Sequence, residues 1–159
     1  MKNDVNATHI VPSKLAAVLE KAAEFHGHLG PFLVIGVRIG LIGLKEISKH
    51  NGEQLTIDLS LPLHVPFSCI IDGLQVTTHC TVGNQKLSVR DSGSVKARFI
   101  GENKGVEVMI ALNKSTFEEL KFQLLGESIP EEEVRRLAWM IAEISEDKLF
   151  EISRTTRTH

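Results

Sequence analysis

Leu55-Thr56-Ile57-Asp58-Leu59-Ser60-Leu61 alternates apolar and polar residues without a break. Side chains of a strand point to opposite faces in turn, so this run is a half-buried strand with Leu55, Ile57, Leu59 and Leu61 on the core side. Patterns of helical period lie on both sides of it. Upstream, residues 14–24 read as a short helix with Leu15, Val18, Leu19 and Ala22 on one face and Ser13 as its N-cap. Pro31 suits the first turn of a second helix running to about residue 49, stopped by Asn51-Gly52. Gly36, Gly40 and Gly43 each cost that helix roughly 1 kcal/mol against alanine. The cost is tolerable where a second helix, a sheet or a subunit packs close against the backbone.

Downstream, Pro66-Phe67-Ser68 introduces a helix over residues 69–78, with Ser68 as its cap. Strands follow at 86–90, 95–100 and 106–112. The turns Asp91-Ser92-Gly93 and Gly101-Glu102-Asn103-Lys104-Gly105 favour a hairpin meander. Two helices close the chain, each opened by capping-box spacing, Ser115-Thr116-Phe117-Glu118 and Ser128-Ile129-Pro130-Glu131. Glu131, Glu132 and Glu133 suit the positive end of the second helix dipole, and residues 149–152 form a short edge strand. The expected fold is α+β: a helix-strand-helix-three-strand core whose mixed four-stranded sheet is covered by helices, with C-terminal helices added. It is a single domain over residues 1–159, with a flexible N-terminus at 1–12 and a flexible tail at 154–159.

A net charge of −2 gives no basic face, so nucleic-acid binding is not expected. The polar start Met1-Lys2-Asn3-Asp4 has no apolar signal core behind it. The most apolar run, residues 31–44, is too short to span a bilayer and carries Arg38. A cytoplasmic protein without a membrane partner is expected. There, two cysteines are reduced thiols, metal ligands or redox groups sooner than a structural disulfide.

The reactive side chains concentrate in Phe25-His26-Gly27-His28-Leu29-Gly30-Pro31 and in Cys69-Ile70-Ile71-Asp72-Gly73-Leu74-Gln75-Val76-Thr77-Thr78-His79-Cys80. Thiols and imidazoles are the preferred ligands of zinc and its neighbours. On a helix, Cys69, Asp72, Val76 and Cys80 fall on one stripe with His79 at its edge. A straight helix would hold the two thiols roughly 16 Å apart, so they share one ion only if it ends early or if two subunits meet. Cys69, near a helix N-terminus, is favoured as thiolate, an effect Asp72 opposes; the alternative is a buried small hydrophobe. In extended backbone, His26 and His28 would address one cavity, although the spacing alone is weak evidence for a metal. His9, His50 and His64 default to structural or solvent-facing roles. There is no phosphate loop, no nucleophile elbow and no paired-cysteine zinc motif.

These two stretches, with Gly36 and Arg38, Cys80-Thr81-Val82-Gly83 and Leu87, resemble the FmdE family of formylmethanofuran dehydrogenase over about residues 14–112. The resemblance implies an α+β fold, a homodimer, and a transition metal, commonly zinc, beside the histidine loop and the cysteine helix. It implies His28, Cys69 and Cys80 as metal ligands, with His26, Asp72 and Gln75 lining the cavity; His79, at the edge of the stripe, is expected to line it as a replacement ligand. It also implies a molybdenum or tungsten enzyme as partner. The chain departs from the family pattern at Gly30, where many members have Cys, and at His79, where many have Gly; it also lacks the cysteine-rich zinc-ribbon extension. Two functions follow as expectations: a small metal-binding protein, as accessory or enzyme, and a non-enzymatic module whose His/Cys cavity holds a cofactor or small ligand. A structural dimer with inert buried thiols is the third.

Overall fold

In the computed structural model, β1 (Leu55–Leu61) keeps the alternation of its sequence, with its four apolar residues buried and Thr56, Asp58 and Ser60 half-buried. The structure describes residues 11–48, 54–102, 105–126 and 128–156. The elements run α1 (Ser13–His26), α2 (Pro31–Ser48), β1, α3 (Cys69–Thr78), β2 (Leu87–Asp91), β3 (Lys96–Gly101) and β4 (Val106–Leu112). Then follow α4 (Lys114–Leu124), α5 (Glu131–Glu143), α6 (Glu146–Leu149) and β5 (Phe150–Thr156). The α+β class and the C-terminal helices stand as expected.

The sheet has five strands in the order β2-β1-β3-β4-β5. β1 pairs parallel with β2, and every other neighbouring pair is antiparallel. The expected meander is therefore corrected at its first turn: β1 lies between β2 and β3. Parallel neighbours need a crossover, and α3 supplies it. The turn at Ser92 crosses the end of β1 instead, its N–H donating to the Leu61 carbonyl at 2.9 Å. β3 and β4 form the hairpin read from the sequence.

The short edge strand expected at 149–152 is longer, and it brings the sheet to five strands rather than four. Arg154, Thr155 and Thr156, expected in a flexible tail, belong to β5 and pair along β4. The Arg154 guanidinium grips Glu46 of α2 through two bonds, of 2.5 and 2.8 Å. The expected flexible residues 1–10 and 157–159 lie outside the described residues, as does the Asn51-Gly52 stop.

α2 is buried along most of its length and packs on α1, α3, α5 and the sheet. Its glycines meet the close neighbour that their cost called for. A Cβ on Gly36 would fall 2.2 Å from the Ile70 carbonyl oxygen, and one on Gly73 of α3 would fall 2.4 Å from that of Leu33. The two helices thus cross backbone to backbone, and Gly43 makes room for the Phe99 ring. Arg38 turns out of the apolar helix to donate to the Ile141 carbonyl at 2.8 Å and to that of Ile144, closing the C-terminus of α5.

The serine caps read from the sequence are not made. α1 begins at Ser13 itself, after Pro12, and α4 and α5 start after Asn113 and Pro130. Ahead of α3, backbone turns take the early donors: the Cys69, Ile70 and Ile71 N–H groups bond the Pro66, Phe67 and Ser68 carbonyls. Ser68 has no N–H left to cap with its side chain. Among the described residues, no helix is long and apolar enough to cross a membrane.

Candidate functional site

α1 runs two residues past its expected end, so His26 is its last residue rather than part of an extended loop. Gly27 closes the helix in the left-handed region at φ 105°, its N–H bonded to the Ala23 carbonyl, a conformation that costs glycine little. This turn, not an extended His-Gly-His backbone, brings the rings of His26 and His28 to 4.8 Å between centroids.

α3 packs against α1 and presents Asp72 from its first turn. Asp72 Oδ2 lies 2.6 Å from His26 Nδ1. With Asp72 ionised, Nδ1 carries the hydrogen, and in the neutral ring Nε2 is left as a lone-pair acceptor. That Nε2 is buried and has no hydrogen-bond partner among the described residues. A buried polar atom of this kind is rare and calls for an occupant such as a water, an ion or a ligand.

His26, His28 and Cys69 line one cavity of about 440 Å³. Gly30 and the first residues of α2, Pro31 and Phe32, wall it on one side, Pro66 on another, and Leu124, Leu125, Ile129 and Val134 of the α4–α5 region on a third. The mixture, mostly apolar with a few converging polar groups, is that of a small-molecule site. Burial, reinforced by the charge of Asp72, pushes the Cys69 thiol above its ordinary range, with its backbone hydrogen bond pulling the other way. Against the expectation of a helix-activated thiolate, burial and the neighbouring carboxylate both act to hold the proton on Cys69.

The rest of the expected site disperses. α3 ends at Thr78, with His79 in the left-handed region at φ 59°, so Cys80 leaves the stripe that begins at Cys69. Ten helical residues put roughly 13 Å between the ends of α3. Cys80 is buried at the far end, its Sγ 3.5 Å from the Leu55 carbonyl. Its thiol too is pushed up by burial, against the opposing pull of the Thr78 hydroxyl and Lys86. Gln75 and His79 line a different recess, beside Phe25 and Leu41, and Gln75 Oε1 accepts from the Val82 N–H at 3.1 Å. His64 is exposed and meets Phe67 edge-on at 5.0 Å. His9 and His50 lie outside the described residues.

For a metal, the fit is divided. An imidazole held by a carboxylate at one nitrogen with the other free is the usual setting of a metal-bound histidine, and His28 and Cys69 line the same cavity. Yet among the described residues no three His, Cys, Asp or Glu side chains form a group able to hold an ion. His28, Cys69 and Cys80 do not come together within the chain.

Behind His28 lies a second cavity of about 590 Å³, between α1 and α5. Leu19, Ala23 and Trp139 give it an apolar wall, and Glu20, Glu24, Glu131 and Arg135 surround it with charge. Nothing in a one-sequence reading marks Trp139 or Val134 for this role.

A family model described as "FmdE, Molybdenum formylmethanofuran dehydrogenase operon" matches residues 25–152. A protein of Archaeoglobus fulgidus described as a probable S-adenosyl-L-methionine-binding protein is 29% identical over 153 residues, which cover 86% of this chain and 42% of that protein. The chain thus spans less than half the length of that relative. Among solved structures, a tungsten formylmethanofuran dehydrogenase FmdE-like protein from Syntrophus aciditrophicus has the same fold. Its TM-score is 0.60 at 18% identity, covering 91% of this chain and 73% of that one.

Proposed function

The chain belongs to the FmdE family, and we propose that within it the chain is a small-molecule-binding module whose ligand occupies the cavity of His26, His28 and Cys69. One observation carries this reading. Asp72 fixes the His26 ring at 2.6 Å, His26 lines the cavity, and its opposite ring nitrogen is buried without a partner of its own among the described residues. A polar atom that has lost water and found no protein partner is costly unless a ligand completes it. S-Adenosylmethionine is the first ligand to test, since the Archaeoglobus relative is described as probably binding it.

Calorimetric titration of the purified chain with S-adenosylmethionine tests the reading. Saturable one-to-one binding is expected, weakened about tenfold in His26→Ala, the loss of one hydrogen bond in a dry site. Absence of binding, or unchanged affinity in His26→Ala, counts against it.

The same orphaned nitrogen favours a second reading, a transition-metal centre such as zinc to which His26 would give one ligand and His28 or Cys69 a second. Its remaining donors would come from a ligand or from the partner subunit of a homodimer. Such an ion would supply Lewis acidity, and a molybdenum or tungsten enzyme would be the natural partner for that role. Metal analysis of untagged protein separates the two readings. Less than about a tenth of an equivalent, unchanged in Cys69→Ser and His28→Ala, removes the metal.

A further inference from the structure

The two cavities on either side of His28 are adjacent. His28 and Val134 line both of them. Gly30 completes the contact: a Cβ there would sit 3.6 Å from His28 Nε2 and 3.6 Å from Val134 Cγ1, an ordinary contact distance. Gly30 has no left-handed φ to require glycine. Gly30 thus keeps any larger side chain out from between His28 and Val134, the two residues that both chambers share.

The chambers differ in chemistry. The one beside Cys69 offers imidazoles and a thiol. The other offers an indole and an apolar wall, with three carboxylates against one guanidinium around it. An aromatic ring stacks well on an indole, and a cation is favoured by both the indole face and the surplus of carboxylates.

We propose that the two chambers form one bipartite site, joined past Gly30, for an elongated organic cation with a planar ring, of the sulfonium or ammonium class. Its ring lies in the Trp139 chamber, and its far polar end reaches the His26 and Cys69 chamber. This rests on the small-molecule reading above and deepens it: the cavity of His26 is half of the site. Gly30 is the specificity position, since a side chain larger than a methyl there intrudes between His28 and Val134, which both chambers share.

The chain has one tryptophan and no tyrosine, so its emission above 320 nm reports the second chamber directly. Titration with S-adenosylmethionine, followed by calorimetry and by Trp139 emission together, is expected to give one common binding curve. The neutral thioether S-adenosylhomocysteine should bind about tenfold more weakly, because only the sulfonium gains from the carboxylates. Gly30→Val should lower affinity for the sulfonium at least tenfold and abolish the emission change, while Gly30→Ala changes both little. Thermal unfolding of each variant confirms that it is folded. Calorimetric binding that leaves Trp139 emission unmoved, or Gly30→Val binding like the wild type, overturns the bipartite site and leaves the His26 cavity reading standing. Equal affinity for the two probes overturns the cationic class. Absence of binding by either method overturns both readings.

Discussion

At the residue scale, the decisive pair is His26 and Asp72, joined across 46 positions of sequence by a 2.6 Å contact. Asp72 acts on two neighbours at once, orienting the imidazole and holding the Cys69 thiol up. Asp72→Asn should therefore weaken ligand binding and, at the same time, speed alkylation of Cys69 by iodoacetamide near pH 8. Rates measured against pH in both proteins check this; identical profiles would show that the carboxylate does not act on the thiol. The two raised thiols also tie stability to pH. A folded state that holds its protons more tightly than the unfolded chain keeps that stability below the ordinary cysteine range and loses it as pH rises through the raised values. Thermal unfolding from neutral pH upward should show an alkaline loss that shrinks in Cys80→Ala, after allowing for the lower baseline of that variant. Sequence alone singled out His26, His28, Cys69 and Asp72 through their crowding into two short stretches, but with them Gln75, His79 and Cys80, which lie elsewhere. It could not rank them, because rank depends on a contact between α1 and α3 and on one left-handed glycine.

At the scale of elements, the site rests on the crossing of α2 and α3. Gly73→Ala drives a methyl into the Leu33 carbonyl and the Val37 nitrogen, both backbone, so the helices must part. A loss of about 1–3 kcal/mol is expected, the usual cost of overpacking. Gly30→Ala, whose methyl finds only ordinary contacts, should change stability by no more than about 0.5 kcal/mol. Urea midpoints of the two variants give the comparison, and equal losses would contradict the crossing. Arg38→Met should cost about 1–3 kcal/mol by leaving the last carbonyls of α5 without their donor. The close neighbour of the α2 glycines was legible from their cost, and β1, α2 and α3 were legible from period. The meander was misread because a turn signal shows where a chain bends and not which strand lies alongside. The end of α3 at Thr78 was hidden because a left-handed His79 has no mark in the sequence.

For the whole molecule, the C-terminal segments complete both the sheet and the site. β5 closes the β4 edge and Arg154 ties it to buried Glu46, while α5, held by Arg38, walls both chambers. Arg154→Ala should lower the unfolding temperature, and Glu46→Gln in the same chain should recover part of the loss, since the buried carboxylate would no longer need its guanidinium. A double variant no better than the single would contradict this coupling. The tail was read as frayed because Arg154, Thr155 and Thr156 carry no apolar residue, and only pairing with β4 gives them a place. The two-chamber arrangement was equally hidden, since it depends on α5 lying against α1. The central claim, that a small ligand completes His26, meets its most direct test in the long-range proton–nitrogen spectrum of the histidine rings. In the free protein, His26 Nδ1 should carry the hydrogen and Nε2 the lone pair, and Nε2 alone of the two should shift saturably as S-adenosylmethionine is added. An Nε2 resonance that stays fixed while the protein saturates, or a proton found on Nε2 in the neutral ring, would contradict it.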